Sequence, residues 1–406
     1  MSPAAILTPS SPRLPPFWLV VLVAVLGPFS FHIVIPALPL LVSEFGIEFD
    51  AAQRTLTAYL IGISGGQLIY GPLSDRFGRR PVLLGGVALY LVASLACATA
   101  QSIEALIALR LLQGATGCAG HVLSRAIIRD CYPRDRAASL MGYATMTMAS
   151  CASFSPLIAA LIQERWGWRM NFYLLSGVSA FALLCALRWL NETKLDRLEG
   201  QGPARLFGNY VMLLRSPAYL AYALSSAFAM SAWYGFVAGA PYVLTRLLGQ
   251  PPIAYGKYIL IVLAGYVAGN FVAGRFSVRW GGARMITVGQ TLAMIGVAIQ
   301  LVLLFTVTLT PLVLFLPMAL IIFASGLFLP NANAGALSTH PQLAGSASGL
   351  SGFLQMGFSA LATVVLGSAL SDSEAPLIAL TVGTSVLSAL SMLLLRVGRA
   401  RSTAGS

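Results

Sequence analysis

The sequence predicts an all-α polytopic membrane protein, with twelve transmembrane helices in two pseudo-symmetric six-helix bundles. Three observations lead there. Of the 406 residues, 57% are hydrophobic and 9% charged, whereas a soluble domain carries about 25% charged residues to face water. The mean hydropathy is +0.81. Apolar segments of about 20 residues, the length a helix needs to cross a bilayer, recur along the chain. Lys and Arg collect in alternate connections between those segments, as membrane orientation requires.

Residues 1–16 are Pro/Ser-rich with one arginine, Arg13, and are expected to form a cytoplasmic tail. The apolar run that follows is too long for a signal-peptide core and has no clear small-residue cleavage site, so it is expected to stay as the first span. The spans run approximately 17–42, 52–73, 81–100, 103–127, 137–163, 169–190, 217–241, 254–275, 284–306, 311–334, 343–368 and 376–396. The longest connection has mixed charge and divides them six and six. This gives one bundle at 17–190, a cytoplasmic linker at 191–216, a second bundle at 217–396 and a tail at 397–406.

With the N-terminus inside, nineteen Lys and Arg fall on the cytoplasmic side. The other side holds five, namely Arg54, Arg165, Arg169, Arg246 and Lys257. The asymmetry predicts that both termini are cytoplasmic. It also accounts for the net charge of +12, which in a soluble protein would suggest nucleic acid. There is no basic patch with interleaved aromatics, no glycine-rich phosphate loop and no metal-ligand spacing. Cys97, Cys118, Cys131, Cys151 and Cys185 fall mostly in apolar runs and read as small packing residues. No metal, cofactor or nucleic acid is expected.

The stretch from Gly71 to Pro81 anchors this topology. Asp75, Arg76, Arg79 and Arg80 cannot lie in hydrocarbon, so the connection after span 2 is expected to be a turn at the membrane surface. The second half echoes it after span 8, where Gly274, Ser277, Arg279 and Gly281 repeat Gly71, Ser74, Arg76 and Gly78 at one common offset. Val278 stands where Asp75 stands. A repeat at half-chain spacing points to two bundles related by an axis along the membrane normal.

Twelve spans, the division into halves and the spelling of residues 71–80 resemble the major facilitator superfamily and its motif A, G-x-L-x-D-R-x-G-R-[KR]. Arg110-Leu-Leu-Gln113-Gly114 is similar to motif B of the drug:proton antiporters, R-x-x-Q-G. Pro156 and its neighbours sit where exporters carry the glycine-rich motif C, here eroded to Ser155 and Ala160. Pro36-Ala-Leu-Pro39 and the segment Gly326 to Leu337, with Pro330, Asn331 and Asn333, resemble the bicyclomycin/chloramphenicol-resistance (Bcr/CflA) subfamily. The resemblance implies a monomeric exporter of small amphiphilic drug-like molecules in the bacterial inner membrane. It further implies proton antiport and alternating access.

Residue roles follow from both sources. Gly71, Asp75, Arg76, Gly78, Arg79, Arg80 and Asp130 form the candidate latch. Asp75 is suited to the positive end of the helix starting near Gly345, and Arg79 or Arg80 to Asp130. The resemblance implies that such contacts hold the outward-facing state. Arg110 is expected to face the central cavity with a partner, because a lone charge at membrane depth costs at least ~2.5 kcal/mol. No acid occupies the middle of a span. The subfamily carries a span-1 acid before P-A-L-P as proton carrier, and in register that position is His32. Histidine titrates near neutrality but is cationic when loaded, which favours anionic or neutral substrates. His121 lies within about 20° of the Arg110 face and extends the candidate proton path. Tyr59, Gln67, Gln113, Trp233, Tyr234, Asn270, Asn331, Asn333 and Gln355 are candidate substrate contacts, a few polar groups in an apolar pocket. A narrow-specificity metabolite or amino-acid transporter of the same fold is the alternative. An enzyme would need a nucleophile–base pair, a metal cluster or paired carboxylates in the spans, and the sequence offers none there.

Overall fold

Each long apolar run folds as helix, and capping hydroxyls and glycines set where the helices stop. The computed structural model describes residues 14–193, 203–251, 253–370 and 373–395. Most of the expected N-terminal tail, residues 194–202 of the linker and the C-terminal tail lie outside them.

Helix α1 (Phe17–Val34) continues through a 3-10 turn at Ile35–Ala37 into α2 (Leu38–Phe45), so the Pro36 and Pro39 pair re-aims the first span. The first half then contains α3 (Phe49–Phe77), α4 (Arg79–Ala98), α5 (Ile103–Cys131), α6 (Arg134–Trp166) and α7 (Arg169–Trp189). A short amphipathic helix, α8 (Pro203–Leu214), precedes the second half. There α9 (Pro217–Tyr242) ends in a π-helical turn at Val243–Leu247 and is followed by α10 (Ile253–Trp280), α11 (Gly282–Thr306) and α12 (Pro311–Thr339). The last two are α13 (Ala344–Ala369) and α14 (Ala375–Ser391). Ser102, Ser216 and Thr310 cap α5, α9 and α12 by accepting the N–H three residues on.

Ten helical segments among the described residues are long and apolar enough to cross a membrane, and Ala375–Ser391 is a shorter apolar helix. With α3 this makes the twelve expected. Helix α3 is more polar because Asp50, Arg54, Asp75 and Arg76 sit in its terminal turns. The protein is therefore a multi-pass, all-α membrane protein.

The expected turn over residues 71–81 is corrected. Helix α3 runs on to Phe77, α4 starts at Arg79, and the whole reversal is made by Gly78 at φ 98°. The echo does the same, with Gly281 at φ 83° between α10 and α11. Glycine reaches this backbone region without the steric cost a Cβ imposes.

The repeat also governs packing. Gly62 of α3 and Gly265 of α10 share the motif offset, and each lets a neighbouring backbone approach. A Cβ at Gly62 would lie 2.2 Å from the Leu111 carbonyl oxygen of α5, and one at Gly265 would lie 2.6 Å from that of Ala319 in α12. Helices α1 and α3 to α7 pack among themselves, as do α9 to α14, and the halves meet chiefly where α3 lies along α13 and α6 against α10.

Candidate functional site

The motif end of the first half is built around Arg79, which is almost fully buried. Its Nη2 pairs with Asp75 Oδ1 of the preceding helix at 2.8 Å and its Nε with Asp130 Oδ2 of α5 at 2.9 Å. Nη1 donates to Ser74 Oγ at 2.6 Å. Of the two pairings expected with Asp130, Arg79 makes it, while Arg80 donates from Nη2 to the Leu187 carbonyl at 3.2 Å. Glu192, which sequence reasoning assigned to the linker, caps α4. Its carboxylate accepts the backbone N–H of Arg79 at 2.8 Å and of Arg80 at 3.2 Å, the placement a helix N-terminus favours for an anion. In the second half Ser277, the counterpart of Ser74, accepts from Asn331 Nδ2 at 3.0 Å.

Arg110 does not line an open chamber here. It is fully enclosed within the first half, with its guanidinium 4.1 Å from the Tyr59 ring centre and 5.8 Å from that of Phe172. Nη1 donates to Gln113 Oε1 at 2.5 Å and to Ser30 Oγ at 3.3 Å. Gln113 in turn donates to Ser94 Oγ at 2.7 Å, and the Tyr59 hydroxyl to the Gly27 carbonyl at 2.8 Å. The partner of this charge is thus a neutral network with aromatic faces. Tyr59 and Gln113 have no exposed surface and serve that network.

His32 lies at the seam between halves. Its Nδ1 donates to the Pro28 carbonyl at 2.9 Å, which fixes the tautomer, and its Nε2 is buried without a hydrogen-bond partner among the described residues. The ring lies 6.0 Å from that of Trp233 and 6.4 Å from that of Tyr234, both on α9. Phe31 meets Tyr234 edge-on at 4.8 Å.

The remaining candidates divide between the seam and the interior of the second half. A Cβ at Gly352 of α13 would lie 2.7 Å from the Gln67 amide. Farther along, Ser64 Oγ donates to the Phe353 carbonyl at 3.0 Å, and the hydroxyls of Thr57 and Thr363 are 2.7 Å apart. Gln355 Nε2 donates to Asn333 Oδ1 at 3.1 Å, whereas Asn331 faces Ser277 near the α10–α11 reversal, so the two asparagines do not act together. Asn270 donates to the Tyr266 carbonyl of its own helix at 2.8 Å. Pro156 belongs to the α6–α10 contact, where a Cβ at Gly256 would lie 3.2 Å from Leu157 Cα. His121 is half-buried, with Nδ1 lacking a partner among the described residues.

Comparison with known proteins agrees with this architecture. The family model of the Major Facilitator Superfamily matches residues 20–363. A bicyclomycin resistance protein homolog of Haemophilus influenzae is 28% identical over 375 residues, which is 90% of this chain and 92% of the relative. The multidrug resistance protein D of Escherichia coli is 30% identical over 337 residues, 83% and 84% of the two chains. Among solved structures, the human organic anion transporter MFSD10 (TETRAN) superposes with a TM-score of 0.70 over 96% of this chain and 100% of its own. At 18% identity that likeness is one of fold.

Proposed function

The chain belongs to the Major Facilitator Superfamily, and from that premise we propose that it exports small amphiphilic drug-like molecules by proton antiport through alternating access. Relatives named for resistance to bicyclomycin and to multiple drugs support the cargo class. The single observation that carries proton coupling is the free Nε2 of His32, held as an acceptor by the Nδ1 bond to Pro28 and buried where the halves touch.

Loading a proton there creates a charge that burial penalises, so protonation favours whichever state opens the seam to water. Release on the other side restores the neutral ring and the closed contact with Trp233 and Tyr234. Arg110 keeps its proton throughout and acts as a fixed charge within the first half, bonded to Ser30 of α1. His121 offers a second imidazole on the path. The Arg79 cluster, with Ser74, Asp75 and Asp130 all in the first half, holds the motif end of that half together as the halves rock. The arginine asymmetry supports that end and both termini lying on the cytoplasmic side of the membrane, and the transporter works as a monomer with no cofactor but the proton gradient.

Everted membrane vesicles carrying the protein test this. Substrate added to vesicles acidified inside should release protons and accumulate. His32→Ala and His32→Gln should abolish proton release while leaving the folded protein at normal levels in the membrane. Full proton-coupled uptake by both variants would end the proposal for His32.

A further inference from the structure

Every Asp and Glu on the described membrane helices lies in a first or last turn, so the interior carries no negative charge. Positive charge does reach it. Arg125 lies six residues before the end of α5, about 9 Å into the helix. Its side chain is accessible, and it lies within electrostatic range of Cys118 on its own helix and of Tyr266 of α10 in the other half. That accessible surface therefore lies near the other half. His121, one turn deeper on the same face, lies beside Arg125, and its buried Nδ1 has no partner. Neither side chain joins an ion pair among the described residues. An accessible guanidinium set near the other half, without an ion-pair partner among the described residues, matches the chemistry of a carboxylate or sulfonate, whose oxygens fit its donor fork.

We infer that Arg125, with His121 on its own helix and Tyr266 across the seam, forms a subsite for the anionic head group of an amphiphilic substrate. The transported class is then organic acids with an apolar body. This rests on the exporter reading above and deepens it. The register of α1 on α5 separates the subsite from the candidate proton carrier. Gly27 packs on Gly117 and Val23 on Gly120, which puts His32 level with residues 112–113 and Arg125 roughly 18 Å away along the axis. The cargo head group and His32 thus occupy different places, and the aromatic wall of Phe31, Trp233 and Tyr234 lies toward the far end, where an apolar body extends.

The test uses the full chain in lipid nanodiscs and three ligands with one ring system: 2-naphthoate, 2-naphthalenesulfonate and the neutral 2-naphthamide. Titration calorimetry should show both acids binding at least tenfold tighter than the amide. Arg125→Gln should weaken the acids at least tenfold and leave the amide within twofold, and Arg125→Lys, which keeps the charge but not the fork, should fall between. Equal binding of all three ligands to the unmodified protein overturns the proposal. So does the absence of binding, or Arg125→Lys and Arg125→Gln variants that melt normally and bind the acids unchanged. The two readings separate in everted vesicles. Arg125-dependent binding without proton-driven 2-naphthoate uptake sinks the exporter and keeps the subsite. Proton-driven uptake of neutral and cationic compounds, with acids bound no better than the amide, does the reverse.

Discussion

Glu192 and Arg79 are joined by a 2.8 Å hydrogen bond from the backbone N–H of Arg79 to the Glu192 carboxylate, which ties the segment leaving the first half to the start of α4. The same carboxylate accepts from Arg80, so one side chain satisfies two of the four free N–H groups of that helix end. Removing it costs a cap and a favourable interaction with the helix dipole. Glu192→Ala is expected to lower stability by about 1–2 kcal/mol, read as an earlier thermal unfolding transition in detergent. Glu192→Gln, which keeps one acceptor oxygen, should recover part of it.

The two glycine reversals are equivalent in the repeat but differ in surroundings, which makes a controlled pair. Gly78 has φ 98° and a Cβ there would lie 2.5 Å from Glu192 Oε2, whereas Gly281 has φ 83° and open space around it. Both positions carry backbone strain of about 1–3 kcal/mol for a residue with a Cβ. Only Gly78 adds a steric conflict that expels the capping carboxylate. Gly78→Ala should therefore destabilise more than Gly281→Ala, and in a Glu192→Ala background the gap should shrink. Equal effects in both backgrounds would show that Glu192 does not sit over the reversal.

Arg110 gives a test in which two changes are milder than one. Gln113→Leu leaves a buried guanidinium with only Ser30 and two ring faces for company, and losing a hydrogen bond to a charged group costs about 1.5–3 kcal/mol. Arg110→Met removes the charge that needed the partner. Replacing a whole buried charge network with apolar groups is far less costly than breaking it. The double variant Arg110→Met/Gln113→Leu should then unfold at a higher temperature than Gln113→Leu alone.

These relationships were unequally legible in the sequence. The helices, their number and the half-chain repeat follow from hydropathy and from glycines at a fixed offset, because bilayer length and close approach leave few alternatives. The pairing of Arg79 with Asp130 was readable for the same reason: opposite charges at adjoining helix ends. The surroundings of Arg110 were not, since Ser30 and Tyr59 reach it from distant helices as neutral groups without a charge signature. Glu192 was hidden in a connection that has no periodicity to place it. Asn331 and Asn333 were grouped by closeness in the chain, although residues two apart on a helix point about 200° from each other. Arg125 counted as an orientation charge, yet its spacing of one turn from His121 already put both on a single face.

The shortest hydrogen bond between the halves among the described residues gives a direct test of alternating access. The Thr57 and Thr363 hydroxyls lie 2.7 Å apart, with Gln53 Nε2 reaching the Thr363 carbonyl at 3.3 Å. Rocking of one bundle against the other must part α3 from α13 at one end in each cycle, and a covalent bridge here prevents it. Side chains whose Oγ atoms touch hold their Cβ atoms near the range a disulfide spans. The five native cysteines are unpaired, so they are first replaced by alanine or serine. In that background Thr57→Cys/Thr363→Cys should cross-link on mild oxidation, stop transport, and regain it on reduction, while each single variant keeps transporting. Undiminished transport by the cross-linked protein would mean that α3 and α13 need not separate at this level.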